Sequence, residues 1–458
     1  MKIIVCGAGR VGAQIAKRLS EDGARVTVVD TNANLIRRVT DSYDVAGVAG
    51  HASHPDTLAR AGAADADMLI AATALDEVNM FACQVAHSLF SVPRKIARVR
   101  AQAYMHPRWA GLFGPEAAPI DVAISPETEV AEVALSRLVT TAAFDSCTFL
   151  EGEVEFVGLT LDGDCPALNT PLRQLGELFS TLKARIVGLR RNGVLLSPGP
   201  DDQLFDGDSV YFVAARADVA RSMAILGREN PPAKRVVVIG AGNVGLSLAQ
   251  RVEADPRGLR AKVIERDRAR AEHAADRLGR TVVLNGDALD PAILDEAGVA
   301  DADAVLALTD DDRANVLSCA LARQAGCPLS IALTNDPVFS ALAGALGIDV
   351  TINPRATTVS TILRHVRRGR IRAVHAVGEG EAEAIEAQVL ATSPIAGKRL
   401  RDADFPVGAT VGAVLGRDGL TMPTGDTVVR EGDLLLVFAL RDAMRRVEAL
   451  FRVSIDFF

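Results

Sequence analysis

The sequence predicts an α/β chain in which one unit is written twice: a doubly wound parallel sheet, a connecting helix and a small β-rich domain. Three observations predict it. The stretch from Gly7, GAGRVGAQIAKRLSEDGARVTVVD, returns from Gly240 as GAGNVGLSLAQRVEADPRGLRAKVIE. Residues 50–73 align without gaps on residues 286–309, with twelve of twenty-four positions identical, and Ile120–Pro126 aligns on Ile348–Pro354. In both halves, short runs rich in Val and Ile alternate with helical patterns, the signature of βαβ units.

Each element can be justified in order. In the first half KIIVCG, VTVVD, DVAGVAG, MLIAAT, KIARVR and DVAIS read as strands, because strands covered by helices on both faces are apolar throughout and do not alternate. The glycine loop follows the first strand and opens a helix, as a dinucleotide-type fold requires. PETEVAEVALSRLVTTAAF and PRATTVSTILRHVRRGRI are long enough to be connector helices. The segments that follow them change texture: VEFVGLTL, ARIVGLRR and SVYFVAA are short alternating runs set between glycine and proline turns.

That small module repeats too. Its two copies share a proline turn (Pro198, Pro423), an aspartate (Asp201, Asp426) and a Gly-Asp turn before the last strand (Gly207-Asp208, Gly432-Asp433), predicting a small antiparallel sheet closed by a helix. The expected layout is therefore two tandem Rossmann-like domains, each followed by a connector helix and a small α+β domain. The boundaries are 1–124, 125–143, 144–228, 233–353, 354–371 and 372–456, with PPAK (231–234) as the hinge between halves.

Composition narrows the function. With 458 residues the chain has room for three or four domains of roughly 150 residues or fewer. Its 58 acidic against 50 basic residues leave a net charge of -8, which argues against binding a nucleic-acid backbone. Six cysteines without a CxxC pair or a metal-ligand rhythm suit reduced core residues in the cytosol. The start, MKIIVCGAG, is itself a strand without signal-peptide anatomy, and no apolar run approaches the ~20 residues of a membrane span. A cytoplasmic location is expected.

GxGxxG is weak evidence alone, but each copy here follows a strand, opens a helix and is answered by an acid after the second strand. Gly7 permits the tight turn, Gly9 lets backbone N–H groups approach a pyrophosphate, and Gly12 lets the helix pack on its strand; Gly240, Gly242 and Gly245 repeat these roles. Ala8, Arg10 and Val11 complete the first loop, and Ala241, Asn243 and Val244 the second. Asp30 and Glu265 are placed to accept hydrogen bonds from ribose hydroxyls and to repel a 2'-phosphate, so NAD is favoured over NADP.

The copies differ where charge matters. The first has Arg10 in the loop and Arg98 and Arg100 on its fifth strand, all suited to phosphate, whereas the second aligns Asn243, Leu333 and Asn335 there. Less positive charge is expected in the second pocket. The second in turn keeps Gly286-Asp287, an acid placed to meet an adenine edge, where the first has Gly50-His51; His51 reads as a polar loop residue or as a ligand contact. Thr73 and Thr309 end the fourth strands and can line a ligand. The acids after them (Asp76, Glu77; Asp310, Asp311, Asp312) are more often helix-start residues than metal ligands, and no metal site is expected.

No nucleophile elbow, HExxH or P-loop occurs, and the seven histidines form no pattern that recurs in both halves. A dehydrogenase needs an acid/base beside the nicotinamide, usually on a substrate domain, and the small modules offer none. A nucleotide bound here reads as a signal and not a reagent. The alternative is an NAD-dependent oxidoreductase with a duplicated cofactor domain.

GAGRVG with Asp30, GAGNVG with Glu265, the AGAADAD and AGVADAD turns, NGDALDP and the two Gly-Asp-ended modules together resemble the tandem RCK (regulator of potassium conductance) units of the peripheral subunits of bacterial Trk potassium-uptake systems. The resemblance covers essentially the whole chain; His51 departs from the family pattern, which has Asp there. It implies a non-enzymatic regulatory subunit that binds NAD(H), with ATP or ADP as further ligands, at the residues named above. It also implies a homo-oligomeric ring, such as a dimer of tandem chains, that gates a membrane potassium-translocating subunit. Such a protein is peripheral at the inner face of the cell membrane through its partner. The cluster Arg364, Arg367, Arg368, Arg370 and Arg372 reads as a solvated connector or as a contact with that partner or with anionic headgroups.

Overall fold

The computed structural model describes residues 1–451 except 115–116, 140–142, 229–232, 367–370 and 379. Two compact units result. One is drawn from Met1–Leu135 and Lys234–Val366, the other from the described residues of Ser136–Ala233 and beyond Val366.

The first unit contains two parallel sheets of six strands. β1 (Lys2–Cys6), β2 (Arg25–Asp30), β3 (Ala46–Ala49), β4 (Met68–Ala71), β5 (Arg94–Arg98) and β6 (Val122–Ile124) lie in the order β3-β2-β1-β4-β5-β6. Five strands of the second unit intervene in the sequence. The same order then recurs as β14-β13-β12-β15-β16-β17, from β12 (Arg235–Ile239), β13 (Arg260–Glu265), β14 (Val282–Asn285), β15 (Ala304–Ala307), β16 (Ser330–Leu333) and β17 (Val350–Ile352). Every pairing in both sheets is parallel. The order reverses beside β1 and beside β12, and that is where a doubly wound sheet opens a crevice at its carboxyl edge.

The repeated AGAADAD and AGVADAD motifs acquire a physical role. Gly62 (φ +83°) and Gly298 (φ +73°) turn in the left-handed region, and the last aspartate of each motif then accepts the first backbone N–H of the central strand: Lys2 N to Asp67 at 2.8 Å, Arg235 N to Asp303 at 2.8 Å. Asp121 and Asp349 do the same for the fifth strands, at 2.6 Å from Lys95 N and 2.8 Å from Ser330 N. Aspartates therefore satisfy the amino edge of each sheet and leave the carboxyl edge to the glycine loops.

The connector helices tie the halves of this unit together. Helix Pro354–Val366, which follows the second sheet, buries Val359, Ile362 and Val366 in the core of the first half beside Ile15 and Leu19 of helix Arg10–Glu21. The other connector, helix Pro126–Val139, reaches across with Glu132 to Arg251 of helix Asn243–Ala254, and Glu129 accepts a 2.9 Å hydrogen bond from Thr361.

The second unit contains two antiparallel sheets of five strands. One has the order β10-β9-β11-β8-β7, from β7 (Asp145–Phe149), β8 (Val154–Thr160), β9 (Ala184–Arg191), β10 (Val194–Leu196) and β11 (Ser209–Ala215). The other has the order β18-β19-β22-β20-β21, from β18 (Ile371–Val377), β19 (Ala382–Gln388), β20 (Ala409–Gly416), β21 (Gly419–Thr421) and β22 (Leu434–Leu440). The Gly-Asp turns work as expected of turns: buried Asp208 and Asp433 accept the N–H of Phe205 (2.9 Å) and Arg430 (2.8 Å), three residues back.

A shared core of Phe156, Val187, Tyr211 and Val213 with Ala384, Ala413, Leu436 and Phe438 joins these two sheets. The approach is close enough that a Cβ on Gly188 would stand 2.8 Å from the Phe438 ring. At the edge of that seam Asp145 of one sheet meets His375 of the other, with Nε2 2.9 and 3.0 Å from the carboxylate oxygens, and Arg137 adds a 3.0 Å ion pair. Of the basic cluster, Arg372 pairs with Glu151 at 3.1 Å; the Arg364 side chain and residues 367–370 lie outside the described residues, as do residues 231–232 of the expected hinge.

This seam carries a pH signature. Burial opposes both charges, but His375 and Arg137 hold the Asp145 pKa down to about 2, and Asp145 holds that of His375 up to about 10. The contribution of His375 is thus full below its ordinary 6.5 and lost as pH rises through about 10; that of Asp145 is full above 3.8 and lost as pH falls through about 2. Replacing one partner of a buried pair costs about 3–5 kcal/mol, so His375→Gln is expected to lower the unfolding free energy of this unit, extrapolated from urea titration, by that amount at pH 6. The variant also flattens the alkaline limb between pH 6.5 and 10, measurable by urea titration of the full chain across that range.

Candidate functional site

The carboxyl edges of the two parallel sheets open on one cavity of about 1350 Å³, lined wholly by residues of the first unit. Its wall holds Gly7, Gly9, Arg10, Val11, Asp30, Thr73, Arg98 and Arg100 from the first half, and Gly240, Gly242, Asn243, Val244, Glu265, Asp287 and Thr309 from the second. Ala8, Gly12, Ala241 and Gly245 are buried and do not line it.

The glycines divide the work by geometry. Gly7 (φ +108°) and Gly240 (φ +98°) take the turn in the left-handed region. A Cβ on Gly12 would stand 1.8 Å from the Gly7 carbonyl oxygen, and on Gly245 1.9 Å from that of Gly240, so the helix can start this close to its strand only without a side chain there. Gly9 and Gly242 would meet nothing within 4 Å; they are the N-caps of the two helices and leave the backbone open to the cavity. The helix N-termini aimed there carry partial positive charge, suited to an anion.

Each acid is bonded to its own loop. Asp30 accepts the N–H of Ala8 at 2.7 Å and of Asn32 at 2.8 Å; Glu265 accepts the N–H of Ala241 at 2.7 Å and of Asp267 at 2.8 Å. A carboxylate has about four acceptor positions, so each retains capacity for a further donor such as a hydroxyl.

Sequence reasoning missed the residue that fixes the floor of each pocket. Asn79, fully buried, accepts from Thr73 N (2.8 Å) and Thr73 Oγ1 (2.7 Å) and donates to Thr73 O (3.2 Å) and Arg98 O (2.9 Å). Asn315 makes the same four bonds to Thr309 and Leu333, at 3.0, 2.7, 3.0 and 2.8 Å. One amide thus clamps the ends of the fourth and fifth strands in both halves. The signal was present: the six-residue spacing from Thr to Asn recurs in both copies.

The acids that follow the threonines serve the backbone. Asp76 accepts from Arg100 N (2.9 Å) and Ala101 N (2.8 Å), Asp312 accepts from Asn335 and Asp336 N–H at 2.9 Å, and Asp311 caps helix Asp312–Gln324. Asp287 holds its own turn through Leu289 N (2.9 Å), whereas His51 bonds Ser53 Oγ at 2.7 Å through Nδ1; both face the cavity.

The arginines are engaged to different degrees. Arg98 donates to Thr73 O at 2.8 Å while its buried Nε has no partner; burial, then the neighbouring charge of Arg100, lowers its pKa. Arg100 pairs with Glu127 at 3.0 Å, leaving the second carboxylate oxygen of Glu127 buried and without a partner. Glu127 and its counterpart Arg355, one residue into each connector helix, also line the cavity, so the repeat inverts charge at this position. The wall keeps the second half the less positive one, since three arginines stand in each half but the second adds Glu265, Asp267, Asp287, Asp310 and Asp311 where the first has Asp30 and Glu127. Arg266, Arg270 and Arg355 match the first half in number and stand beside the acid and connector, away from the loop. Alignment of the loops alone could not show these arginines, because the first copy has no base at the equivalent positions.

Comparison with known proteins agrees with the duplication. The TrkA-N domain family model matches residues 3–126 and 236–354, and the TrkA-C domain model matches residues 156–227 and 384–452. The Trk system potassium uptake protein TrkA of Azorhizobium caulinodans is 50% identical over 459 residues, covering 100% of both chains. Those of Halomonas elongata and Vibrio alginolyticus are 38% and 37% identical, covering 100% and 99% of both chains. Among solved structures, the GsuK RCK domain aligns with TM-score 0.60 at 19% identity over 98% of this chain and 94% of its own. The GsuK channel bound to NAD aligns with TM-score 0.59 at 18% identity over 98% and 78%. With both domain types matched twice and relatives alike from end to end, the chain belongs to the TrkA family of Trk-system potassium uptake proteins.

Proposed function

We propose that the chain is a cytosolic regulatory subunit that binds NAD(H) or adenine nucleotides at both glycine loops and thereby gates a membrane potassium-translocating subunit. The observation that carries this reading is the doubled constellation on one cavity: an open glycine loop, a helix N-terminus and an acid at the end of the adjacent strand, in each half. The family supplies the potassium-uptake context, and the fold is one on which a channel is seen bound to NAD. The nucleotide therefore acts as a ligand whose preference for one shape of the assembly biases the pore, in proportion to its differential affinity.

Among the described residues no helix is long and apolar enough to cross a membrane, so on this reading transport belongs to a partner. The membrane subunit and a ring of repeated units are the partners that the family implies. Co-purification with a polytopic potassium-translocating protein supports the reading; consumption of NADH with a small carbonyl substrate overturns it.

Calorimetry of the full chain with NADH, NAD, ATP and ADP is expected to give two nucleotides per chain. Asp30→Ala and Glu265→Ala should each reduce this to one, since each acid organises its loop as well as facing the ribose. Arg98→Ala should weaken ATP at the first loop by about 1.5–3 kcal/mol, roughly 10- to 150-fold, the worth of a charge-assisted hydrogen bond. Arg100→Ala should cost less, because Glu127 already offsets its charge. Equal losses in the two variants, or equal losses at both loops, would contradict the assignment.

A further inference from the structure

The two copies place different atoms on the cavity wall at one equivalent position. His51 and Asp287 each stand two residues beyond the third strand of their sheet, β3 (Ala46–Ala49) and β14 (Val282–Asn285), and both line the cavity. The turns that carry them are built alike. Asp287 spends Oδ1 on the backbone N–H two residues on, that of Leu289 at 2.9 Å; His51 spends Nδ1 on the same bond, from Ser53 N at 3.4 Å, and on Ser53 Oγ at 2.7 Å. A backbone N–H can only donate, so Nδ1 is the acceptor and the ring proton sits on Nε2. The His54 ring packs against that of His51, with centroids 4.8 Å apart, and limits its rotation. What each turn leaves over is therefore opposite in sense. Oδ2 of Asp287 accepts, Nε2–H of His51 donates, and neither has a partner among the described residues.

We infer, resting on the nucleotide-binding function proposed above, that this inversion sets base selectivity: the first loop admits 6-oxopurine nucleotides, the guanine and hypoxanthine class, as well as adenine ones, and the second admits adenine alone. The sheet order places the base. With the pyrophosphate at the glycine loop after the first strand and the ribose at the acid ending the second, the base extends toward the end of the third, where His51 and Asp287 stand. Adenine carries there an amino group that donates, whereas guanine and hypoxanthine carry a carbonyl that accepts. Oδ2 of Asp287 matches the amino group and repels the carbonyl. Nε2–H of His51 matches the carbonyl, and meets adenine through a ring nitrogen. A site built to accept a hydrogen bond rejects an analogue that cannot donate one, because its own polar group is then left unpaired. The phosphates of the two classes are the same, so Arg10, Arg98 and Arg100 do not distinguish them.

The test is calorimetry of the full-length chain with ATP, GTP and ITP. ATP should fill two sites per chain, and GTP and ITP one, at the first loop; ITP separates the carbonyl from guanine's additional amino group. His51→Asp, which gives the first turn the acid that the second copy holds, should weaken GTP and ITP roughly tenfold or more without weakening ATP. Asp287→His should open a second GTP site. Two ATP sites with no GTP site, GTP at both loops of the wild-type chain, or unchanged GTP binding in His51→Asp overturns the base assignment and leaves the nucleotide-binding function standing. Failure of ATP, NADH and GTP alike to bind ends that function and the base assignment with it.

Discussion

The cavity depends on one steric constraint, the contact between the glycine that ends the loop and the carbonyl that begins it. A methyl group at Gly12 would overlap the Gly7 carbonyl oxygen, and one at Gly245 that of Gly240. Only with that space empty can each helix begin directly above its central strand and aim its free N–H groups at the crevice. The acid on the neighbouring strand then finishes the loop, since Asp30 and Glu265 each take a loop N–H that would otherwise lack a partner. Backbone fixed in this way presents the same anion-receiving surface whatever side chains surround it.

Around that fixed backbone the two copies have diverged in charge. The first half gathers Arg10, Arg98 and Arg100 at the loop and the fifth strand, and the second gathers Arg266, Arg270 and Arg355 near the acid and the connector. Glu127 and Arg355 occupy equivalent places with opposite sign, and only Glu127 has a pairing arginine on the adjacent strand end. On the proposed function, two glycine loops with one scaffold and different charge maps bind a polyphosphate unequally. The buried, unpartnered atoms of Arg98 and Glu127 are both on the first side, which marks that side as the one whose polar groups are incompletely satisfied by the protein itself.

Much of this was legible in the sequence, for reasons that differ by residue. The central strands of each sheet were readable as apolar runs because both faces are covered, unlike the exposed edge strands Ala46–Ala49 and Val282–Asn285, and the glycine roles because turn, approach and packing each demand the absence of a side chain at a set spacing. The paired Gly-Asp turns and the ADAD motifs were visible as repeats, although their work as caps of particular N–H groups needed coordinates. Asn79 and Asn315 were overlooked because an asparagine early in a helix usually reads as a polar surface residue, whereas here each is fully buried and clamps two strands. The Asp145–His375 seam was beyond sequence reasoning: its partners are 230 residues apart and belong to modules whose pairing no local pattern encodes.

Duplication within one chain has a physical consequence that a pair of identical subunits would not share. The connector of the second half is buried in the core of the first, and Glu129 and Glu132 of the other connector bond Thr361 and Arg251, so neither half of the first unit has a complete surface alone. Rearrangement at one loop is therefore borne by helices whose packing belongs to the other. In a symmetric dimer the empty sites are identical, and any difference between them arises only once one has bound. Here covalent linkage lets the sites differ while the exchanged helices keep them mechanically joined, the condition for a coupling free energy between two unlike ligands. On the proposed function both properties are needed, and the inverted charge at Glu127 and Arg355, on the exchanged helices themselves, places the difference where the joining occurs.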